Sequence, residues 1–230
     1  MLEVDMAAEN TFQIWHGSRR WDGDPEIQAA KKGRAEWGAG IYGSTHFETC
    51  TGYAKGGGKV QLLTIQNTRV LEKSCLPLEV VIDYIKRFVP KPLRADLISD
   101  CVEGAERVRD RVLLHTDPVG PLSADTTWLP AKYLRNLVVN SGLSSGVRGV
   151  NLAKFLAEQG IGLSLDKGGS KAGEKWLVVY DPQLIVSWKG HTYESAKEIG
   201  HILPEPDAHT TEPVSYLRRT SRTSSFSFDR

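Results

Sequence analysis

Four short stretches of the chain carry side chains whose types and order suit chemistry on a charged ring. The first is His16-Gly17-Ser18, after the short segment FQIW, and the second is Gly38-Ala39-Gly40-Ile41-Tyr42. Tyr53 follows Tyr42 by eleven residues, and Glu174 precedes the run KWLVVY. Two tyrosines can hold a flat cationic ring between their faces through stacking and cation–π attraction. A nearby carboxylate can stabilise the positive charge that develops when such a ring leaves.

Other common chemistries have no matching motif. Gly38-Ala39-Gly40 lacks the third glycine of a dinucleotide fingerprint, and Gly56–Gly58 with Lys59 lacks the Lys-Ser/Thr pair of a phosphate loop. No Gly-x-Ser-x-Gly nucleophile motif occurs. The histidines show no metal-ligand spacing, so we expect no metal site. An odd number of widely spaced cysteines argues against a disulfide framework: Cys50, Cys75 and Cys101.

In their order and spacing, the four stretches resemble the signature of the poly(ADP-ribose) polymerase-like, or diphtheria-toxin-like, ADP-ribosyltransferases. Members of that family carry His-Gly-Ser/Thr on a first strand and Gly-x-Gly-Ile/Leu-Tyr on a second. A further aromatic follows at about this distance, and a catalytic glutamate lies on a late strand. The resemblance covers residues 13–65 well and 150–188 loosely, and it leaves the middle of the chain and the tail uncovered.

The resemblance implies that NAD is the substrate and assigns residues to binding it. Tyr42 and Tyr53 would stack on the nicotinamide ring, and His16 would hydrogen-bond a ribose hydroxyl of the adenosine half. Gly17 would let the backbone approach the carboxamide, where a side chain would obstruct it. Ser18 would support the pocket.

One further binding position follows from the same comparison. Cys50 takes the place of a serine that in many relatives bonds the nicotinamide amide. A thiol is a weaker hydrogen-bonding group than a hydroxyl, so we expect a weaker bond at this point of the pocket.

The resemblance assigns catalysis to Glu174, His16 and Tyr42. Glycosidic cleavage of NAD passes through an oxocarbenium-like transition state, as in other glycoside cleavages. Glu174 would orient a ribose hydroxyl, stabilise the developing positive charge and help to deprotonate the acceptor. His16 and the tyrosines act by positioning the bent dinucleotide so that the scissile bond is exposed.

The catalytic glutamate departs from the family pattern. Many relatives carry it four residues before the aromatic that ends the strand, and Trp176 holds that position here. Glu174 lies six residues before Tyr180, so strand alternation keeps it on the same face, and a bulge or a shifted start would bring it to the site. With a strict register Trp176 replaces the acid, and Asp166 and Glu158 are the remaining carboxylates.

Hydrophobic periodicity predicts strands near both ends of the chain with helices between them. The predicted strands are 12–15, 41–44, 59–65, 69–71, 161–165, 175–180 and 184–188. The predicted helices are 26–32, 45–54, 78–89, 93–102, 105–114, 133–140 and 150–159. With the resemblance, this favours an α+β fold in which split, mostly antiparallel sheets surround an NAD cleft.

The domain organisation expected is a single ADP-ribosyltransferase-like domain over residues 1–208. It carries a helical insertion, or lid, at about residues 73–145. Residues 209–230 are rich in Thr, Ser and Arg and poor in apolar side chains, so they are predicted to form a disordered tail.

Composition excludes several classes of protein. The 230 residues carry a net charge of +1, which argues against a strongly basic nucleic-acid wrapper. The apolar runs are far shorter than the ~20 residues of a membrane helix. The first residues carry acids where a signal peptide needs lysines. We expect a cytoplasmic protein that does not span a membrane.

The function implied by the resemblance is mono-ADP-ribosyl transfer from NAD to a macromolecular acceptor, protein or nucleic acid, with release of nicotinamide. By analogy alone, a compact transferase suggests a bacterial or phage toxin, or an anti-phage effector, with a neutralising antitoxin as partner. The alternative is a catalytically degenerate module that binds NAD or ADP-ribose and acts through a protein partner. An RNA 2′-phosphotransferase is a weaker reading, because no Arg and His pair can be assigned to the 2′-phosphate.

Basic residues near the proposed cleft bear on the acceptor. They permit a nucleic-acid acceptor and are equally the ordinary solvated charges of a protein surface. The residues concerned are Arg19, Arg20, Lys31, Lys32, Arg34, Lys55 and Lys59.

Overall fold

The computed structural model describes residues 10–19, 21, 23–29, 37–55, 58–166 and 171–206, which form an α+β protein. The strands are β1 (Thr11–Gly17), β2 (Ile41–Ser44), β3 (Val60–Gln66), β4 (Arg69–Val70), β5 (Ser74–Pro77), β6 (Asp117–Pro118), β7 (Trp128–Pro130), β8 (Ile161–Asp166), β9 (Trp176–Val179) and β10 (Ile185–His191). The helices are α1 (Phe47–Thr51), α2 (Leu78–Phe88), α3 (Lys91–Val108), α4 (Val112–His115), α5 (Ala131–Asn140), α6 (Gly146–Glu158) and α7 (Tyr193–Ala196). Among the described helices, none is long and apolar enough to cross a membrane.

The strands form two sheets. The larger has seven strands in the order β10-β3-β1-β2-β9-β8-β4, and the smaller has three in the order β6-β5-β7. Pairing is antiparallel throughout except for β4 with β8 and β5 with β6. The predicted α+β class and the mostly antiparallel pairing are therefore confirmed at this level.

The larger sheet has a weak junction at its centre. Strand β1 pairs with β3 over its whole length, from Thr11↔Gln66 to Gly17↔Val60. It meets β2 at a single residue pair, Trp15↔Ser44. We call β10, β3 and β1 the first half, and β2, β9, β8 and β4 the second half. The two groups of strands thus form one sheet, and the strand pairing that joins its halves is limited to one residue pair.

The two faces of this sheet are both covered. Directly opposed residues of antiparallel strands share a face, so Trp15, Ser44 and Trp176 lie on one face together. On that face α1 packs over the first half, where Phe47 contacts the Trp15 ring edge-on. The opposite face buries Ile14 with Leu177 and other aliphatic side chains. This two-sided burial explains why Ile14 and Trp15 are both buried although they are neighbours in β1.

Helices α2, α3, α5 and α6 pack over the second half, on the same face as α1. Their apolar side chains form one cluster with Val178 and Tyr180, and Trp37 and Tyr42 pack against it. Residues 73–145, expected to be mainly helical, hold helices α2 to α5 and also contain the three-stranded sheet, which was not expected. The segments of that sheet are two to four residues long and lie far apart in sequence, and local periodicity cannot reveal such pairing.

Two predicted helices differ from the structure. The described part of the predicted helix 26–32, residues 26–29, is not helical, and Ile27 packs between two apolar clusters instead. The predicted helices 93–102 and 105–114 are largely one helix, α3, because Gly104 continues it. A Cβ at Gly104 would lie 2.6 Å from Cζ of Tyr133, so this glycine allows close helix packing and does not end the helix. The predicted tail, 209–230, lies outside the described residues, as do Arg20, Lys31, Lys32 and Arg34.

Candidate active site

His16 lies where β1 and β2 separate. Continuing the ladder from Trp15↔Ser44 would bring Gly17 opposite Tyr42, but pairing stops at the first pair. Instead, His16 Nδ1 donates to the carbonyl oxygen of Tyr42 over 2.6 Å. A carbonyl only accepts, so the proton is on Nδ1, and Nε2 of the neutral ring is an acceptor.

The surroundings of His16 favour this neutral ring. Burial lowers the pKa of the imidazole below its ordinary value, against the raising effect of the hydrogen bond to the Tyr42 carbonyl. The imidazole contacts the Trp21 ring at a centroid distance of 4.9 Å. A neutral His16 has an acceptor lone pair on Nε2, which can bind a hydroxyl group.

Tyr42 is fixed at its phenol end. Its hydroxyl donates to the carbonyl of Gly38 over 2.5 Å and accepts from the backbone N–H of Trp37 over 3.2 Å. The Gly38-Ala39-Gly40 loop therefore folds back on the tyrosine that follows it. The half-buried Tyr42 ring packs against the cluster beneath the helices, so its orientation is set before any ligand arrives.

The carboxylate of Glu174 reaches the same strand. Ser44 Oγ donates to Glu174 Oε1 over 2.6 Å, and the backbone N–H of Lys171 donates to Oε2 over 3.3 Å. Glu174 is only 2% exposed. Because His16 binds the backbone of Tyr42 and Glu174 binds the side chain of Ser44, strand β2 carries both contacts two residues apart.

The donors around Glu174 keep it ionised. Burial raises the pKa of the carboxyl, but hydrogen bonds from Ser44, Thr49, Trp176 and Lys171 outweigh it and lower the pKa below its ordinary value. The Thr49 hydroxyl and the Trp176 indole N–H face this carboxylate without a partner at full hydrogen-bond geometry. Four donor groups thus surround the buried Glu174 carboxylate, and those of Ser44 and Lys171 bond it at full hydrogen-bond geometry.

The register of β9 is regular. Trp176 pairs with Ser44 and Val178 with Tyr42, with no bulge between them. Trp176 therefore lies within the strand, and Glu174 lies two residues before the strand begins. Its side chain still reaches Ser44, so neither the bulge nor the shifted start considered from the sequence is needed for that contact. Asp166 pairs with Trp176 from the neighbouring strand.

Gly17 and Cys50 pack against each other. A Cβ on Gly17 would lie 1.9 Å from the carbonyl oxygen of Cys50, so α1 can approach β1 only because residue 17 is glycine. The buried Cys50 thiol donates to the carbonyl of Trp15 over 3.1 Å, and burial raises its pKa to about 12. Both residues thus join α1 to β1. Cys50 is a free thiol, as are Cys75 and Cys101.

Tyr53 and Ser18 lie at the outer side of this junction. Tyr53 follows α1 and is 60% exposed, with its backbone N–H donating to the Cys50 carbonyl over 3.0 Å. Ser18 follows β1, and its carbonyl would lie 2.3 Å from a Cβ on Gly58. Tyr53 therefore offers a ring face to solvent, in contrast to Tyr42.

Sequence reasoning missed Ser44 and Trp37. Ser44 follows Tyr42 by two positions in a strand, so alternation alone places both side chains on one face. Trp37 has no such signal, because its role depends on its backbone N–H and carbonyl. Ser44 hydrogen-bonds Glu174, and the backbone of Trp37 hydrogen-bonds Tyr42.

A cavity of about 590 Å³ lies away from these residues. It is lined by residues 25–27, by the outer face of α6 and by residues 180–183. Of the carboxylates considered from the sequence, Glu158 lines it and Glu174 does not. Glu158 thus lines a cavity of which neither Glu174 nor Ser44 is a lining residue.

Comparison of the chain with protein-family models, with curated proteins and with solved structures finds no match in any of the three.

Proposed function

We propose that this protein is a mono-ADP-ribosyltransferase that transfers ADP-ribose from NAD to a macromolecular acceptor and releases nicotinamide. One observation carries the proposal: His16, Tyr42 and Glu174 meet on a single four-residue strand, β2, at the point where β1 and β2 separate. More than 150 positions separate His16 from Glu174 in the sequence, and the fold brings their contacts within two residues of one another on β2.

The proposed NAD position follows the polar groups of this junction. Nicotinamide would stack on the Tyr42 ring, which the Gly38 and Trp37 backbone holds, and the exposed Tyr53 ring would cover its other face. His16 Nε2 would accept a hydroxyl proton from the adenosine ribose. Gly17 would serve ligand approach in addition to its contact with Cys50.

In the proposed reaction the bond between nicotinamide nitrogen and ribose C1′ breaks, and nicotinamide leaves with the electron pair as a neutral molecule. A nucleophilic atom of the acceptor forms the new bond to C1′, and its proton passes to solvent. Glu174, held ionised by the donor groups around it, would stabilise the positive charge that develops on the ribose. A ribose hydroxyl would bond the carboxylate after one of these donors moves aside.

A second function is favoured by the burial of Glu174. The carboxylate is 2% exposed and is enclosed by Ser44, Thr49, Trp176 and Lys171, so a ribose hydroxyl reaches it only when one of these neighbours moves. If they do not move, the protein binds NAD or ADP-ribose without turning it over and acts through a partner. The two functions share the Tyr42 and Tyr53 platform and differ in turnover.

The experiment that tests the proposal measures binding and turnover separately. Calorimetry with NAD tests the binding site, and release of nicotinamide with incorporation of label from adenylate-labelled NAD into a lysate tests transfer. Binding with transfer supports the transferase, and binding without nicotinamide release supports the binding module. Absence of NAD binding overturns both. Protease and nuclease digestion of the labelled product then assigns the acceptor to protein or nucleic acid.

A further inference from the structure

A buried arginine lies beside Trp37. Arg135 of α5 is 1% exposed, and its Nη2 is 3.9 Å from Glu72 Oε1. In the part of the chain that the structure describes, none of its three side-chain nitrogens has a hydrogen-bond partner. A buried guanidinium without hydrogen bonds is costly, so its remaining contacts must account for its position.

The nearest carboxylate is already engaged elsewhere. Glu72 Oε1 accepts from the Ser164 hydroxyl over 2.7 Å, and Oε2 accepts from the backbone N–H of Leu165 over 2.9 Å. Glu72 thus extends the edge of β8 beyond its pairing with β4. The interaction of Glu72 with Arg135 is therefore an electrostatic attraction without a hydrogen bond.

Arg135 also contacts the Trp37 ring. The guanidinium carbon lies 4.8 Å from the centroid of the Trp37 ring, a cation–π arrangement in a buried setting. The backbone of Trp37 in turn bonds two tyrosine hydroxyls. Its N–H donates to Tyr42 Oη over 3.2 Å, and its carbonyl accepts from Tyr180 over 3.4 Å.

We propose that Arg135 is a positioning residue for Tyr42, and that the helical region thereby sets the geometry of the nicotinamide platform. Arg135 holds the Trp37 ring, and the Trp37 backbone holds the Tyr42 hydroxyl. The inference rests on the proposed function for its effect on NAD. Its structural part, the coupling of α5 to the Trp37–Tyr42 contact, does not require NAD.

The test compares Arg135→Met, which keeps much of the volume and removes the charge, with Arg135→Lys, which keeps the charge. Arg107→Met is the matched control, since Arg107 is exposed on α3 and bonds Tyr133 instead. We expect Arg135→Met to raise the KM for NAD about three- to tenfold with little change in kcat. Arg135→Lys should recover part of that loss, and Arg107→Met should behave as wild type.

Hydrogen exchange provides a readout that a general loss of stability does not give. In Arg135→Met, we expect the Trp37 amide to lose protection while the amides of β3 keep theirs. The double variant Arg135→Met/Trp37→Leu should bind NAD no more weakly than the worse single variant, because the two act through one contact. Should Arg135→Met not fold, Arg135→Lys and Trp37→Leu decide the same comparison.

Two results overturn the inference. One is an Arg135→Met protein with wild-type KM and wild-type protection of the Trp37 amide. The other is additive loss in the double variant, which would mean that Arg135 and Trp37 act independently. A wild-type protein that binds no NAD overturns the proposed function alone, and hydrogen exchange then decides the role of Arg135.

Discussion

The two halves of the large sheet differ in how firmly they hold the side chains of the candidate site. In the second half, described neighbours within the chain hydrogen-bond both the Tyr42 hydroxyl and the Glu174 carboxylate. In the first half, His16 uses one ring nitrogen, and Tyr53, which follows α1, is 60% exposed. The second half is therefore organised in advance, which is what stabilisation of a developing charge requires. The first half offers groups whose interactions a ligand would complete.

The largest expected effect is on turnover and belongs to the second half. If transfer occurs, Glu174→Gln should lower kcat by about 100- to 1,000-fold, the range seen when one charge-stabilising group is removed. NAD affinity should change by less than about threefold, because the carboxylate acts mainly in the transition state. Initial rates of nicotinamide release and calorimetry with NAD measure the two quantities.

A matched control for this substitution is Glu205→Gln. The Glu205 carboxylate pairs with Lys175 Nζ over 3.0 Å close to the same strand, and it makes no contact with Ser44. The Glu205→Gln variant should keep the wild-type kcat. A Glu174→Gln protein with kcat within about threefold of wild type, less than ~1 kcal/mol in the barrier, would remove Glu174 from the catalytic role.

The next effect is on stability and concerns the contact between α1 and β1 in the first half. Gly17→Ala places a methyl group 1.9 Å from the Cys50 carbonyl oxygen, and both atoms belong to rigid backbone elements. We expect a loss of about 1–3 kcal/mol in the free energy of unfolding. Thermal melting should show it as a drop of several degrees.

Gly52→Ala is the control at the other end of α1. Its Cβ would lie 3.4 Å from the nearest atom, the Thr49 carbonyl oxygen, in a right-handed helical conformation. The melting temperature of this variant should be equal to or slightly above that of wild type, because alanine restricts the unfolded chain more than glycine does. Equal melting temperatures for Gly17→Ala and wild type would show that α1 can move away from β1 at no cost.

A smaller effect distinguishes the two tyrosines. Tyr53→Ala should weaken NAD binding by roughly 1–2 kcal/mol through lost stacking, and Tyr53→Phe should be nearly silent. Tyr42→Phe should weaken NAD binding by about 0.5–1.5 kcal/mol, because it removes the hydrogen bonds to Gly38 and Trp37 that orient the ring. Calorimetry on the three variants measures this difference. Equal losses in Tyr53→Ala and Tyr53→Phe would assign the effect to the hydroxyl and contradict stacking.

The same contrast explains what the sequence could predict. Strands β1, β2 and β3 and helices α2 and α6 follow from local periodicity, and the predicted segments overlap them closely. The contact of Glu174 with Ser44 depends on pairing between β2 and β9, which are more than 130 residues apart, and local pattern carries no such information. Arg135 has no sequence signal at all, since a charged residue in an amphipathic helix is usually on the surface. The predicted basic cleft and tail fall largely outside the described residues.

The smallest expected effect is a pH dependence that reports on His16 in the first half. Burial lowers the pKa of His16 in the folded protein, so between that pKa and the ordinary value of 6.5 the unfolded chain binds more protons. Its contribution to stability is therefore fully present above about pH 6.5 and is lost as the pH falls towards the folded-state pKa. Urea unfolding at pH 7.5 and 5.5 should show wild type losing up to about 1 kcal/mol more than His16→Gln. His191, whose pKa is also lowered, remains in both proteins and cancels in the difference, while Glu174 titrates below this window. Identical losses in the two proteins would mean that His16 binds its proton as readily folded as unfolded, and the neutral ring bonded to Tyr42 would then be the wrong description of the junction.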